Sequence, residues 1–260
     1  MDIEVWLRAS RLRLNPSKTQ IMILGSAQQL AKVTSKTVDL LSSEIKIADA
    51  ARNPGVIFDC RLSMSAQVSS TSRSCYYQLK QLRPIARCMS TEALKTTVHA
   101  FISSRLDCSN VLYDGITNQL IRRLQSIQNA AARLVTRTAR REHITPVLRE
   151  LHWLPVVDRV RFKMATLAYR CLAGSCPPYL SEERKLTSSV ATRRLRSSDE
   201  RTCCARRSQS RFGDRSFATS APRIWNSLPS SLRSQELSYE CFRRGLKSYL
   251  FGHGAAALCD

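Results

Sequence analysis

No apolar run in this chain approaches the eighteen or more residues that span a bilayer, and its opening, MDIEVWLRAS, has no long apolar core behind a basic start. Neither a membrane span nor a secretory leader is therefore expected. Glycine is scarce, with eight spread thinly through 260 residues, so glycine-rich loops that cradle phosphates are missing. A Gly-x-Ser-x-Gly elbow, which would mark a serine nucleophile, does not occur. Nor does an Asp-Asp pair. The only adjacent acids, Glu182-Glu183 and Asp199-Glu200, lie in polar, loop-like stretches unsuited to pre-organising a metal site. The ten cysteines lack a tight framework. Cys171 and Cys176 have a spacing that zinc tolerates, with Cys203-Cys204, His143 and His152 as further candidates, but no second matching pair follows. Ordinary reduced thiols are expected instead, and no cofactor.

Acids are also few: 20 Asp and Glu stand against 41 Lys and Arg, giving a formal charge of +21 and a pI near 10.2. An excess of that size points to a polyanionic partner, with nucleic acid ahead of a membrane surface. Since 43% of the residues are apolar, a largely folded chain is expected, with one good core or two small ones.

The stretch that organises the rest is LIRRLQSIQNAAARLVTRTARREHITPVLRELHWLP, residues 120–155. Ile121, Leu124, Ile127, Ala131, Leu134 and Val135 recur at helical spacing on one side of a 3.6-residue wheel, with Arg122, Arg133, Arg137 and Arg140 opposite. Residues 120–170 hold eleven Lys and Arg against three acids. One face can pack while the other presents guanidinium groups to phosphates, and Arg122, Arg133, Arg137, Arg140 and Arg141 are the expected contact set.

Before this helix, residues 3–14 suit a short amphipathic helix ended by Asn15-Pro16. Candidate strands follow at 19–24, 44–48 and 56–59, the last entered through Asn53-Pro54-Gly55. Helical spacing resumes at Ser65 and runs to a break near Pro84. Ser90 or Thr91 then opens a helix carrying Ala93, Leu94, Val98, Phe101 and Ile102. Beyond the organising helix, Thr145-Pro146 starts a short helix and Pro155 a longer one to about Ala173. Residues 185–221, rich in Ser, Thr and Arg, read as a basic flexible connector, and 222–260 as a small helical piece with a frayed tail. Trp153 and Trp225, set among Leu and Pro, are expected to anchor small cores in preference to stacking on bases.

Several of these segments, in this order, carry a family resemblance: LRLNPSKTQ at 12–20, ARNPGVIFD at 51–59, SRLDCSN at 104–110, RLQSIQNAAARLVTRT at 123–138, HITPVLRELHWLPV at 143–156 and WNSLPSSLR at 225–233. Together they resemble the C-terminal part of LINE-type, non-LTR retrotransposon reverse transcriptases, over almost the whole chain. In that family, palm aspartates, two of them in a Tyr-x-Asp-Asp hairpin, hold two metal ions for nucleotidyl transfer. The resemblance implies a fragment starting just downstream of that hairpin, inactive as a polymerase on its own, with magnesium expected only in the missing palm. It also implies a place for Lys18 near the phosphates of the incoming nucleotide and for Gly55 in a primer-gripping hairpin. Pro54 stands where the family pattern has a leucine, and the loss of its N–H is expected to weaken strand pairing there.

The fold expected is therefore mainly α with some β (α+β). A palm remnant with a small sheet would occupy 1–60, a thumb-like helical region 61–140 and a helical extension 141–184, followed by the connector and the C-terminal piece. The expected function is that of a truncated, intracellular RNA-directed DNA polymerase that retains its nucleic-acid-binding helices. Its expected partners are RNA, DNA or their hybrid, and a chain carrying the palm. A helical protein-interaction scaffold and a retroelement-derived reading frame without function are the alternatives.

Overall fold

The structure, a computed structural model, describes residues 3–40, 43–181, 201–204 and 207–253. It is mainly helical, with two short hairpins near the N-terminus. Contacts divide the chain into two units, Met1–Ser69 and Ser70–Asp260.

In the first unit, helix α1 (Ile3–Ala9) is shorter than the apolar spacing suggests. The chain leaves the helical path at Arg11, whose φ of 56° is left-handed. Asn15 then caps a 3-10 turn, Pro16–Lys18, by accepting the Ser17 N–H at 3.0 Å. After a short helix α2 (Ala27–Leu30), strands β1 (Thr37–Leu40) and β2 (Ser43–Lys46) pair antiparallel, as do β3 (Ala50–Asn53) and β4 (Val56–Asp59). The strand expected at 19–24 does not form. Only Ile21 bridges to Ile47, because β2 takes β1 as its ladder partner.

Pro54 does not weaken the second hairpin. Asn53 pairs with Val56, so Pro54-Gly55 form the two-residue turn itself, outside the ladder. Gly55 has φ +83°, a conformation that costs a glycine little. Ile45, Val56, Met64 and Val68 form the buried apolar set of this unit.

Helix α3 (Ser65–Ile85) begins in the first unit and continues in the second. The break expected near Pro84 is there: a proline in the last turn gives up one helical hydrogen bond, and the helix ends one residue later in the 3-10 turn Ala86–Cys88. Ser90 caps helix α4 (Thr91–Val98), its hydroxyl accepting the Ala93 N–H at 3.2 Å. A π-helical turn, His99–Ser103, leads into α5 (Ser104–Asp107). The wider turn shifts the phase of the apolar stripe, so Ile102 and Leu106 are buried while Phe101, expected inside, is exposed.

Helix α6 (Asn118–Thr136) buries Leu120, Ile121, Leu124, Ile127, Gln128, Ala131, Ala132 and Val135. Each fully buried leucine or isoleucine contributes about 1.5–3 kcal/mol. Helices α7 (Ile144–Glu150) and α8 (Val156–Leu172) follow and pack on α6. Pro155 offers α8 no side-chain cap. Gln125 of α6 does so instead, its Oε1 accepting the Val156 N–H at 2.8 Å, while the buried Gln128 donates to the Leu154 carbonyl at 2.8 Å. Gln125 Nε2 donates in turn to Gln128 Oε1 at 3.0 Å. These amides join two helices through a chain of three hydrogen bonds.

A short helix α9 (Pro178–Ser181) ends this part. The connector expected over 185–221 lies partly outside the described residues, but its C-terminal end is ordered. Helices α10 (Arg211–Asp214) and α11 (Phe217–Asn226) occupy it, with Thr219, Ser220 and Ala221 buried. Small residues there let α11 lie close against α8, a packing that composition read as looseness. Helices α12 (Ser230–Arg233) and α13 (Tyr239–His253) complete the described chain. Met164, Ala168 and Tyr169 of α8 share one apolar cluster with Trp225, Leu228, Leu232, Phe242 and Leu246. Tyr169 and Phe242 stack at 4.6 Å, and the Trp225 indole N–H donates to the Arg201 carbonyl at 2.6 Å. The C-terminal piece is thus built into the core around α8.

Arg215 fastens this region to the loop before α6, its Nε donating to the Asp114 carbonyl at 3.1 Å and Nη2 to the Leu112 carbonyl at 3.2 Å. Gly115 lets it approach, since a Cβ there would lie 2.8 Å from Arg215 Cγ.

Candidate functional site

Charge is distributed along the second unit in a way that residue counting alone conceals. No Asp or Glu occurs from Cys60 to Thr91, nor from Gly115 to Arg141. These two acid-free stretches become α3 and α6. They meet where the Tyr76 hydroxyl hydrogen-bonds the Ser126 hydroxyl at 2.7 Å.

On α6 the packing face is turned inward, and Arg122 is exposed on the other side. Arg137 ends the helix in the left-handed conformation, φ 57°, with Arg140 and Arg141 exposed on the loop that follows. Among the described residues, none of Arg122, Arg137, Arg140 and Arg141 forms an ion pair. Glu142, the nearest acid in sequence, directs its carboxylate to the Ala139 N–H at 3.1 Å.

Arg133 departs from the expected contact set. It is half-buried, and its Nη2 donates to the Glu142 carbonyl at 3.2 Å, while Nε is buried without a hydrogen-bond partner among the described residues. Lys18 ends the 3-10 turn after Asn15 and Gly55 sits at a hairpin tip, both exposed in the first unit. Of the expected site residues, the structure gathers Arg133, Arg137, Arg140 and Arg141 at one end of α6, with Arg122 nearer its start.

Sequence reading missed the contribution of α3. Arg73, Tyr76, Lys80 and Arg83 follow one another at spacings of three and four, and all four are exposed. Tyr77 is 60% exposed beside them. The signal was the absence of acids over residues 60–91, masked by the apolar spacing that made α3 read only as a packing helix. Between α3 and α6 lies a groove of about 630 Å³ lined by Tyr76, Arg83, Ser126, Asn129, Arg133 and Arg140 among others.

Trp153 and Trp225 are 3% and 0% exposed, so neither offers a ring to a base. Trp153 donates its indole N–H to His99 Nε2 at 3.2 Å, a bond that needs the neutral imidazole. Partial withdrawal from water, with Arg159, Lys95 and Lys247 nearby, lowers the His99 pKa against the raising effect of Asp107. Cys75 is buried, and its thiol is pushed up to about 11, which suits packing and not nucleophilic attack. Among the described residues no three His, Cys, Asp or Glu side chains are placed to hold a metal ion, and no helix is long and apolar enough to cross a membrane. The acid pairs Glu182-Glu183 and Asp199-Glu200 lie outside the described residues.

No protein-family model, curated protein or solved structure matches this chain. The site is therefore argued from its own residues. One of them allows charge and conformation to be separated. Arg137 adopts a backbone conformation that disfavours a Cβ, at the position after a helix where glycine is most common. Arg137→Gly is expected to raise stability by about 0.5–1 kcal/mol in urea unfolding while weakening polynucleotide binding. A loss of stability would show that the arginine side chain holds the loop in place.

Proposed function

We propose that this chain holds a polynucleotide by its phosphates, as the thumb-like part of a non-LTR-type reverse transcriptase, and carries none of the carboxylates that join nucleotides. The observation that carries this reading is the pairing of two acid-free helices. With the loop that follows α6 they expose Arg73, Lys80, Arg83, Arg122, Arg137, Arg140 and Arg141, and a groove lined by Tyr76, Arg83 and Arg140 lies between the two helices. Guanidinium groups suit phosphates because they donate in a planar fork and remain charged at any physiological pH. The order and spacing of the segments that resemble the reverse transcriptases support the assignment to that class.

Such binding is weakly sequence-specific, because phosphate contacts set position and carry no base information. It is also strongly salt-dependent, because each neutralised phosphate releases condensed counterions. The test is a titration of a 20-base-pair duplex and an RNA–DNA hybrid at rising salt. About six contacts predict a loss of affinity of about 10³-fold between 50 and 200 mM. Affinity insensitive to salt would overturn the reading and favour a protein-interaction scaffold. Primer extension by the purified chain with magnesium is expected to yield no product, and incorporation would refute the absence of catalytic carboxylates.

A further inference from the structure

The exposed arginines are open to contact by a duplex from outside. The groove between α3 and α6 is a different kind of feature. Its volume, about 630 Å³, falls within the about 300–1,000 Å³ of sites that take a small ligand. Three of its lining residues, Arg83, Arg133 and Arg140, are arginines, and among the described residues the lining contains no carboxylate. The Arg133 guanidinium is held from behind by the Glu142 carbonyl, so it is fixed in place without its charge being neutralised. Its Nε is a buried donor with no acceptor among the described residues and does not reach the groove itself.

The rest of the lining suits what is attached to a phosphate. Tyr76 is 45% exposed, and its hydroxyl is tied to Ser126, which fixes the ring at the wall of the groove. Asn129 accepts from Gln125 Nε2 at 2.8 Å through its Oδ1, which orients the amide and leaves its NH2 group as a donor. A pre-placed aromatic ring, an oriented amide and three guanidinium groups are the complement of one nucleotide: base, polar edge and phosphate.

We infer that this groove binds a single unpaired nucleotide through its 5′-phosphate, with Arg83, Arg133 and Arg140 on the phosphate and Tyr76 against the base. This deepens the proposed function and rests on it for the source of the nucleotide, which is either free or the 5′ end of a single strand. A duplex cannot enter in the same manner, because its bases are stacked and its ends paired.

The experiment uses the full chain and fluorescence anisotropy with three probes: a 5′-phosphorylated single-stranded hexanucleotide, the same strand without the phosphate, and a blunt duplex. Adenosine monophosphate and inorganic phosphate serve as competitors. The wild type is expected to prefer the phosphorylated strand about tenfold or more, the scale of one well-placed charge-assisted contact. Arg83→Gln with Arg140→Gln should remove that preference, and Tyr76→Ala should weaken strand binding about tenfold, with Tyr76→Phe retaining most of it. Arg122→Gln, outside the groove, should weaken duplex binding and leave the end preference intact. Competition by adenosine monophosphate but not inorganic phosphate identifies a free nucleotide as an occupant as well. No preference for the phosphate, or equal competition by the two anions, would overturn the inference while leaving duplex binding to stand. Binding of the mononucleotide without any binding of polynucleotide would sink the proposed function and leave the groove assignment in place.

Discussion

The variant Arg122→Glu/Arg137→Glu/Arg141→Glu is expected to bind duplex on the order of 10²–10³-fold more weakly than the wild type at 0.1 M salt. Its log–log salt slope should be shallower by about 2.7, at about 0.9 per phosphate contact removed. These three residues are chosen because all are exposed and lie outside the groove lining, and none is in an ion pair among the described residues. Their substitution therefore breaks no contact of the fold, and stability should change by only about 0.5 kcal/mol in either direction. Repulsion between the new carboxylates and the phosphates adds to the loss at low salt. Parallel anisotropy and urea unfolding measurements separate the two effects. Unchanged affinity in a folded variant would remove α6 from the interface.

Trp225→Ala is expected to destabilise the chain by about 3–5 kcal/mol, the usual scale for truncating a large buried aromatic residue. The indole is fully buried, lies 5.8 Å from the Phe242 ring and 6.5 Å from that of Tyr169, and donates to the Arg201 carbonyl. Truncation opens a void at the centre of the cluster joining α8, α11 and α13, and leaves that carbonyl without its donor. Trp225→Phe keeps a ring but loses the hydrogen bond, so it should be destabilised less. If Trp225 acts in the core alone, Trp225→Phe should bind duplex as the wild type does. A selective loss of binding in a well-folded Trp225→Phe protein would restore the stacking role that burial argues against.

The helices whose apolar residues recur without interruption were plain in the sequence. The cap at Ser90, the start of α8 after Pro155 and the inward stripe of α6 follow from local rules that tertiary packing reinforced. Strands were harder. Ala50–Asn53 is small or polar and lies largely exposed, so no alternation marked it; Thr37–Leu40 alternates over only four residues, and the apolar 19–24 segment found only a single bridge. The π-helical turn escaped notice because the extra residue that rotates Phe101 outward leaves no compositional trace.

The candidate site was half legible. The arginines on α6 stand opposite an obvious apolar face, but their neighbour α3 is separated in sequence by α4, α5 and the turns between. Only folding brings Tyr76 and Arg83 alongside Arg133. The tethering of the Arg133 guanidinium likewise depends on the path of the chain at Glu142, which spacing along a helical wheel does not encode.

The amide link makes α6 and α8, two helices of the second unit, answerable to each other. If the chain were cut after α7, Gln128 would lose the Leu154 carbonyl it donates to, and Gln125 the Val156 N–H it receives. Two amides shaped for an absent helix would then face either water or apolar neighbours, on the helix that bears the arginines. The residues that complete this scaffold come from beyond α7, so a trimmed chain would be a differently solvated object and not a smaller copy of the same one.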